Sequence, residues 1–137
     1  LYPGAPGFIE RLRAGQVPIA VATAAQAERL ARSVPDDFLA NFDVIVTGND
    51  TQFGKPSPEP YLAAAKKLRV QPEQCIVIEN APLGIESAKA AGAYCIALCT
   101  TLDRSFLEGA DEILNSLEEV QESEMVKPLL TRAAANA

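Results

Sequence analysis

Apolar positions along the chain fall into two alternating patterns. Short continuous runs read as buried strands: Val17-Pro18-Ile19-Ala20-Val21-Ala22, Phe42-Asp43-Val44-Ile45-Val46-Thr47, Cys75-Ile76-Val77-Ile78, Tyr94–Leu98 and a short run at Asp111–Leu114. Between them lie segments with apolar residues at helical spacing. Phe8, Ile9 and Leu12 predict a helix over residues 5–14, with Gly15 placed as its terminating glycine. Ala27, Leu30, Ala31 and Val34 predict a second helix from Thr23 to Ser33, broken by Pro35. Ser57 and Pro58 open a third, with Tyr61, Leu62, Ala65 and Leu68 on its buried stripe. Leu83 to Ala91 is a fourth, closed by Gly92, and Leu117–Met125 is an acidic helix or turn.

Strands alternating with helices of this length predict an α/β fold, a parallel sheet with helices on both faces. Near-continuous apolar strands fit burial on both faces. The predicted core spans residues 1–126, and residues 127–137, with little to bury, are expected to form a flexible tail.

At 137 residues with 48% apolar and 22% charged positions, the chain suits one globular domain. Its net charge of −6 argues against a nucleic-acid surface. No apolar run approaches the roughly 18 residues of a membrane span. Leu1-Tyr2-Pro3-Gly4 has no charged leader region, so no signal peptide is expected, and without an initiator Met the chain reads as a fragment or processed piece. Cys75, Cys95 and Cys99 lie in strand-like runs. On a strand Cys95 and Cys99 would stand about 13 Å apart, beyond disulfide reach. Buried free thiols and a cytoplasmic setting are therefore expected. The absence of histidine removes triads and zinc sites that depend on it.

In parallel sheets, ligands bind at the carboxyl ends of strands. Thr23, the loop leading to Lys55, and the pair Glu79-Asn80 all follow strand ends on one rim. Thr23 with the amides of Ala24 and Ala25 reads as a phosphate cradle or a plain helix cap. Lys55, held between Gly54 and Pro56, is either an anion-binding ammonium or a solvated turn lysine. Glu79 and Asn80 offer oxygen ligands suited to Mg²⁺, unless Glu79 only caps the helix near Pro82. Gly84 permits close backbone approach. Glu59 and the other scattered glutamates read as solvated faces, and Asp50 as solvated loop.

Together these segments resemble the haloacid dehalogenase-like (HAD-like) hydrolase superfamily, closest to its phosphoglycolate phosphatase and β-phosphoglucomutase branch. Tyr2-Pro3-Gly4-Ala5-Pro6-Gly7-Phe8-Ile9 through Thr23 is similar to the stretch leading into the family's second motif. Gly54-Lys55-Pro56-Ser57-Pro58-Glu59-Pro60-Tyr61-Leu62 is similar to the third. Ile76-Val77-Ile78-Glu79-Asn80-Ala81-Pro82-Leu83-Gly84-Ile85, followed by Ala88-Lys89-Ala90-Ala91-Gly92, is similar to the fourth.

The resemblance implies a Rossmann-like sheet and a Mg²⁺-dependent phosphatase acting on a small phosphorylated metabolite. It gives Thr23 and Lys55 catalytic roles, with Thr23, Ala24 and Lys55 on phosphate and Glu79 and Asn80 on the metal. A phosphomutase, or an inactive fragment that binds phosphate or a partner, is the alternative. Two departures stand out. Asn80 replaces the branch's usual aspartate, which removes one negative charge. The family's first motif, a central strand ending Asp-x-Asp whose first aspartate is the nucleophile, has no counterpart here, nor does the cap that follows it.

Leaving that central position empty would orphan roughly five backbone groups on each neighbour at about 1–3 kcal/mol apiece. A whole domain is stable by only about 5–15 kcal/mol. The chain alone is thus expected not to form a stable native-like monomer. A missing N-terminal strand, closure of a gap of about 4.8 Å, or self-association would be needed.

Overall fold

A computed structural model describes residues 3–135. The alternation read from the sequence is present. Helix α1 (Ala5–Ala14) is followed by β1 (Ala20–Ala22), α2 (Ala27–Ser33), α3 (Asp36–Leu39), β2 (Val44–Val46) and α4 (Glu59–Leu68). Then come β3 (Ile76–Glu79), α5 (Pro82–Ala91), β4 (Tyr94–Leu98), β5 (Glu112–Leu114), α6 (Leu117–Glu122) and α7 (Lys127–Ala135).

All strand pairing among the described residues is parallel, but it falls into two sheets. β1 pairs with β2, Val21 opposite Ile45. β3, β4 and β5 pair in that order, Ile78 opposite Ile96 and Ala97 opposite Ile113. β1 and β3 are not paired with each other. The break lies between the strands that lead to Thr23 and to Glu79, the position where sequence reasoning placed a missing central strand. Burial follows the break. β4, flanked on both sides, is almost wholly buried, whereas β1 is half-buried throughout and Ile78 in mid-β3 is 36% exposed. The expectation that every apolar strand is buried on both faces therefore holds for β4 and fails for β1, β2 and β3.

β4 shows how the period of two builds a double-faced core. Ile96 and Leu98 point to one side, where Phe8 and Leu12 of α1, Leu117 and Val120 of α6, and Val126 and Leu130 close over them. Cys95 and Ala97 point to the other, against Ile85 and Ala88 of α5 and Leu107.

That packing corrects the expected tail. Residues 127–135 form α7, which packs on α1 and buries Leu130 to 5% exposure. The buried positions Val126 and Leu130 are four apart, one helical repeat, a spacing too sparse to stand out in sequence. Residues 136 and 137 lie outside the described residues.

Three helix expectations also shift. α2 begins at Ala27 rather than Thr23, and none of its residues is buried. α4 buries Pro60, Ala64 and Ala65, while Leu62 is 42% exposed. At the end of α1 the left-handed residue is Gln16 (φ 58°), not Gly15. Gly92 (φ 93°) does close α5 as read from the sequence.

Candidate active site

The rim at the carboxyl ends of β1 and β3 gathers the residues singled out by sequence. Lys55 sits in the loop before α4, and its Nζ donates to Glu79 Oε1 at 2.5 Å and to the carbonyl of Ala22 at 3.4 Å. The lysine therefore spans the break, touching the last residue of β1 and the last residue of β3. Glu79 is buried (9% exposed), a placement a carboxylate holds only when charge and hydrogen bonds compensate it. Its Oε1 also accepts the Tyr61 hydroxyl, and its Oε2 accepts the amide of Asn80 at 3.2 Å.

Two residues that sequence reasoning gave no chemical role shape this pair. Tyr61 was read as a core position. Its hydroxyl holds Glu79, and its ring faces the Lys55 ammonium, 5.2 Å from the centroid. Burial first, then the neighbouring Glu79 charge, pushes the phenol well above its ordinary value, so Tyr61 remains a donor. Gly84 was read as permitting backbone approach, and the group that approaches is a side chain. A Cβ at Gly84 would lie 2.1 Å from the Glu79 carboxyl carbon. Glu79 thus rests on the first turn of α5, where only glycine leaves room.

Glu59 was read as a solvated face and is instead structural. Its two oxygens accept the amides of Gln52 and Phe53 at 2.7 and 2.8 Å, fixing the loop that carries Lys55. A glutamate at the first helical position with its carboxylate turned back to preceding amides is the available signal. Asp50, also read as solvated, accepts the Thr47 amide (2.8 Å) and hydroxyl (3.1 Å). Those bonds, the amide first, hold its carboxyl below the usual range.

Thr23 lies at the same rim in an altered setting. Its amide donates to Val46 at 2.9 Å, and its Oγ1 accepts the Ala25 amide at 3.1 Å, a turn rather than a helix start. The proton of the Thr23 hydroxyl is not used in that bond. The amide that begins α2, on Ala27, is taken by Asn49 Oδ1 at 2.7 Å. The proposed aid from a helix dipole at Thr23 therefore falls away. The cradle is a loop, and Gly48 lets it fold tightly, since a Cβ there would lie 2.5 Å from the Ala24 carbonyl oxygen.

A cavity of about 130 Å³ opens here, lined by Thr23, Ala24, Gln26, Thr51, Gln52 and Lys55 among others. Glu79 and Asn80 are not among its lining residues. The arrangement thus joins two parts. Thr23 and Lys55 line one small cavity, and the Lys55 ammonium reaches back to a buried carboxylate.

Among the described residues no group of three or more cysteines and carboxylates stands together as a ligand set. Glu79 and Asn80 are adjacent oxygen-bearing side chains at a strand end, which suits a hard cation such as Mg²⁺. Glu79 Oε1 is committed to Lys55 and Tyr61, so these two residues supply a minority of six ligands. Mg²⁺ ordinarily completes its shell with water and substrate phosphate.

A parallel α/β fold with hydroxyl, ammonium and carboxylate on one strand-end rim defines a class, that of Rossmann-like domains with an anion-binding rim. The chain belongs to the haloacid dehalogenase-like hydrolases, whose family description matches residues 1–92. It is 39% identical over 119 residues to validoxylamine A 7'-phosphate phosphatase of Streptomyces hygroscopicus subsp. limoneus, covering 86% of this chain and 56% of that protein. Among solved structures it is similar to a HAD family hydrolase from Deinococcus radiodurans R1 with bound phosphate and sodium. The TM-score is 0.82 at 28% identity, over 94% of this chain and 61% of that one. A protein described as a candidate β-phosphoglucomutase of Thermotoga maritima matches at TM-score 0.77 and 32% identity, over 93% of this chain and 58% of that one. The chain thus spans little more than half the length of these relatives.

Proposed function

We propose that this chain is the larger part of a Mg²⁺-dependent phosphatase core that acts on a small phosphorylated metabolite. The observation that carries the reading is Lys55, which lines the cavity beside Thr23 while its ammonium is bonded to Glu79 at 2.5 Å. In this reading the phosphoryl group sits in the cavity. The Thr23 hydroxyl and the loop amides at Ala24 donate to its oxygens, and Lys55 balances their charge. Glu79, with Asn80, holds Mg²⁺, which supplies electrostatic stabilisation of the charge developing on the phosphoryl oxygens. Tyr61 keeps Glu79 oriented and does not act as a base.

The nucleophile is an aspartate carried by a strand outside this chain, placed between β1 and β3. Its carboxylate oxygen forms a bond to phosphorus as the ester P–O bond breaks, the leaving oxygen taking a proton from the second aspartate of Asp-x-Asp. Water, giving a proton back to that aspartate, then attacks phosphorus and breaks the aspartyl–phosphate bond to release phosphate. The unpaired break between β1 and β3 and the exposure of Ile78 support a strand at that place. The three free cysteines fit a reducing, cytoplasmic setting.

The test is phosphate release from a panel of sugar and polyol phosphates by the full-length protein, with and without Mg²⁺. Release that depends on Mg²⁺ supports the reading, and no release from any phosphomonoester defeats it. A phosphomutase is the second reading, favoured by the likeness to the candidate β-phosphoglucomutase of Thermotoga maritima. Phosphorus NMR separates the two, since a mutase moves the phosphoryl group within a hexose phosphate without releasing it.

A further inference from the structure

Ser87 is fully buried in the middle of α5 (0% exposed). A hydroxyl inside a helix ordinarily bonds back to the carbonyl four residues earlier. Ser33 and Thr131 do so in this protein, donating to Arg29 and Lys127 at 2.9 and 3.0 Å. Ser87 does not. Its Oγ reaches out of the helix and donates to the backbone carbonyl of Ser57 at 2.6 Å, thirty positions away. Packing alone does not call for a hydroxyl there. α4 and α5 pack on each other, and the buried residues of the two helices include Ala64, Ala65, Ala88 and Ala91, so small apolar side chains already serve on both.

Ser57 belongs to the loop that carries Lys55. Within that loop the Ser57 amide donates to Gly54 at 3.0 Å and Glu59 holds the amides of Gln52 and Phe53. Those ties are internal and set the shape of the loop. The Ser87 bond ties the loop to α5, the helix whose Gly84 seats the Glu79 carboxylate. α5 therefore fixes both ends of the Lys55–Glu79 pair, one through Gly84 and the other through Ser87.

We propose that Ser87 is a positioning residue that holds the Lys55 loop in register with Glu79 and so sets the affinity of the rim for a phosphate group. The proposal rests on the reading of Lys55 as a phosphate ligand, and its test separates the two. Two quantities are measured in the full-length protein: the Kd for inorganic phosphate by calorimetry and the exchange rate of the Ser57 amide by NMR. Ser87→Ala weakens phosphate binding about fivefold, the worth of one hydrogen bond, and speeds exchange at Ser57. Ser87→Cys keeps the volume with a weak donor and behaves like Ser87→Ala, whereas a residue needed only for filling space would make it behave like the wild type. Ser33→Ala, which removes a hydroxyl bonded within its own helix, changes neither quantity.

Unchanged exchange at Ser57 in Ser87→Ala overturns the proposal. So does faster exchange with unaltered phosphate affinity when Lys55→Ala abolishes that affinity. Phosphate binding that is absent, or indifferent to Lys55→Ala, defeats the phosphate reading instead, and the exchange rate still decides whether Ser87 holds the loop.

Discussion

Lys55 Nζ and Glu79 Oε1 meet at 2.5 Å across the break between β1 and β3, with the lysine 21% and the glutamate 8% exposed at their side chains. The pair links the two halves of the rim and joins the cavity side to the strand end followed by Asn80. Removing one partner leaves the other charge in a place built for a pair.

The first prediction concerns that pair. Lys55→Met leaves a buried carboxylate held by Tyr61 and the Asn80 amide, and should cost about 2–3 kcal/mol in chemical denaturation, below the full buried-pair value because Lys55 is partly exposed. Lys55→Met combined with Glu79→Gln should recover most of that loss, since the remaining groups are neutral. A double variant no more stable than Lys55→Met would show that the pair carries no such coupling.

Gly84→Ala separates stability from chemistry. In a helix interior the change ordinarily favours folding by about 0.5–1 kcal/mol, but here the new methyl occupies the seat of the Glu79 carboxylate. The side chain can swing away while the backbone stays. The expected result is a melting temperature within a few degrees of wild type with phosphatase activity reduced at least about tenfold. Wild-type activity in this variant would mean that the seat of Glu79 is immaterial.

Cys95 is fully buried, and burial, reinforced by the nearby Glu79 charge, pushes its thiol up to about 12. The thiolate is the reactive form. At pH 8 in the native protein an aromatic disulfide reagent should therefore leave Cys95 unmodified, with modification appearing only on unfolding. Rapid labelling of Cys95, located by peptide mapping, would contradict the packing of β4 against α5.

Asp111 joins β5 to the neighbouring strand and helix. It accepts the Cys95 amide at 2.7 Å and the Lys89 ammonium at 2.8 Å. Desolvation raises its carboxyl, but the Cys95 bond and then Lys89 outweigh it, so the folded value lies below the unfolded one of about 3.9. For a depressed carboxyl the added stability is present above the unfolded value and lost as pH falls through the folded one. Asp111→Asn should thus lower stability at pH 7 and flatten its decline below about pH 4. Denaturation midpoints measured between pH 7 and pH 2 check this, and parallel curves for the two proteins would refute it.

What was legible in the chain depended on the range of the interaction. The alternation of strands and helices and the closing Gly92 follow from local pattern, and so did the gathering of Thr23, Lys55 and Glu79 on one rim, because every strand of a parallel sheet points the same way. α7 was not legible. Leu130 is buried by α1, more than a hundred residues earlier in the chain, and nothing in its own surroundings announces that contact. Tyr61 and Gly84 had plain local readings, a core aromatic and a permissive glycine. Their roles emerge only when Glu79 is placed between them. Thr23 can cap a helix or make a turn, and the carbonyl of Ala25 pairing with Gly48 decides for the turn, so α2 starts only at Ala27.

In the proposed function Thr23, Lys55 and Glu79 form one phosphoryl-transfer rim. The most direct measurement of this is the steady-state hydrolysis of p-nitrophenyl phosphate by the full-length protein and its Thr23→Ala and Lys55→Ala variants, with Mg²⁺ and with chelator. The expected result is turnover that requires Mg²⁺, falls by about 10²–10³ in each variant, as for loss of a group that stabilises transition-state charge, and is absent from the 137-residue chain alone. Hydrolysis at wild-type rates in Lys55→Ala, or Mg²⁺-dependent turnover by the isolated chain, would contradict the account.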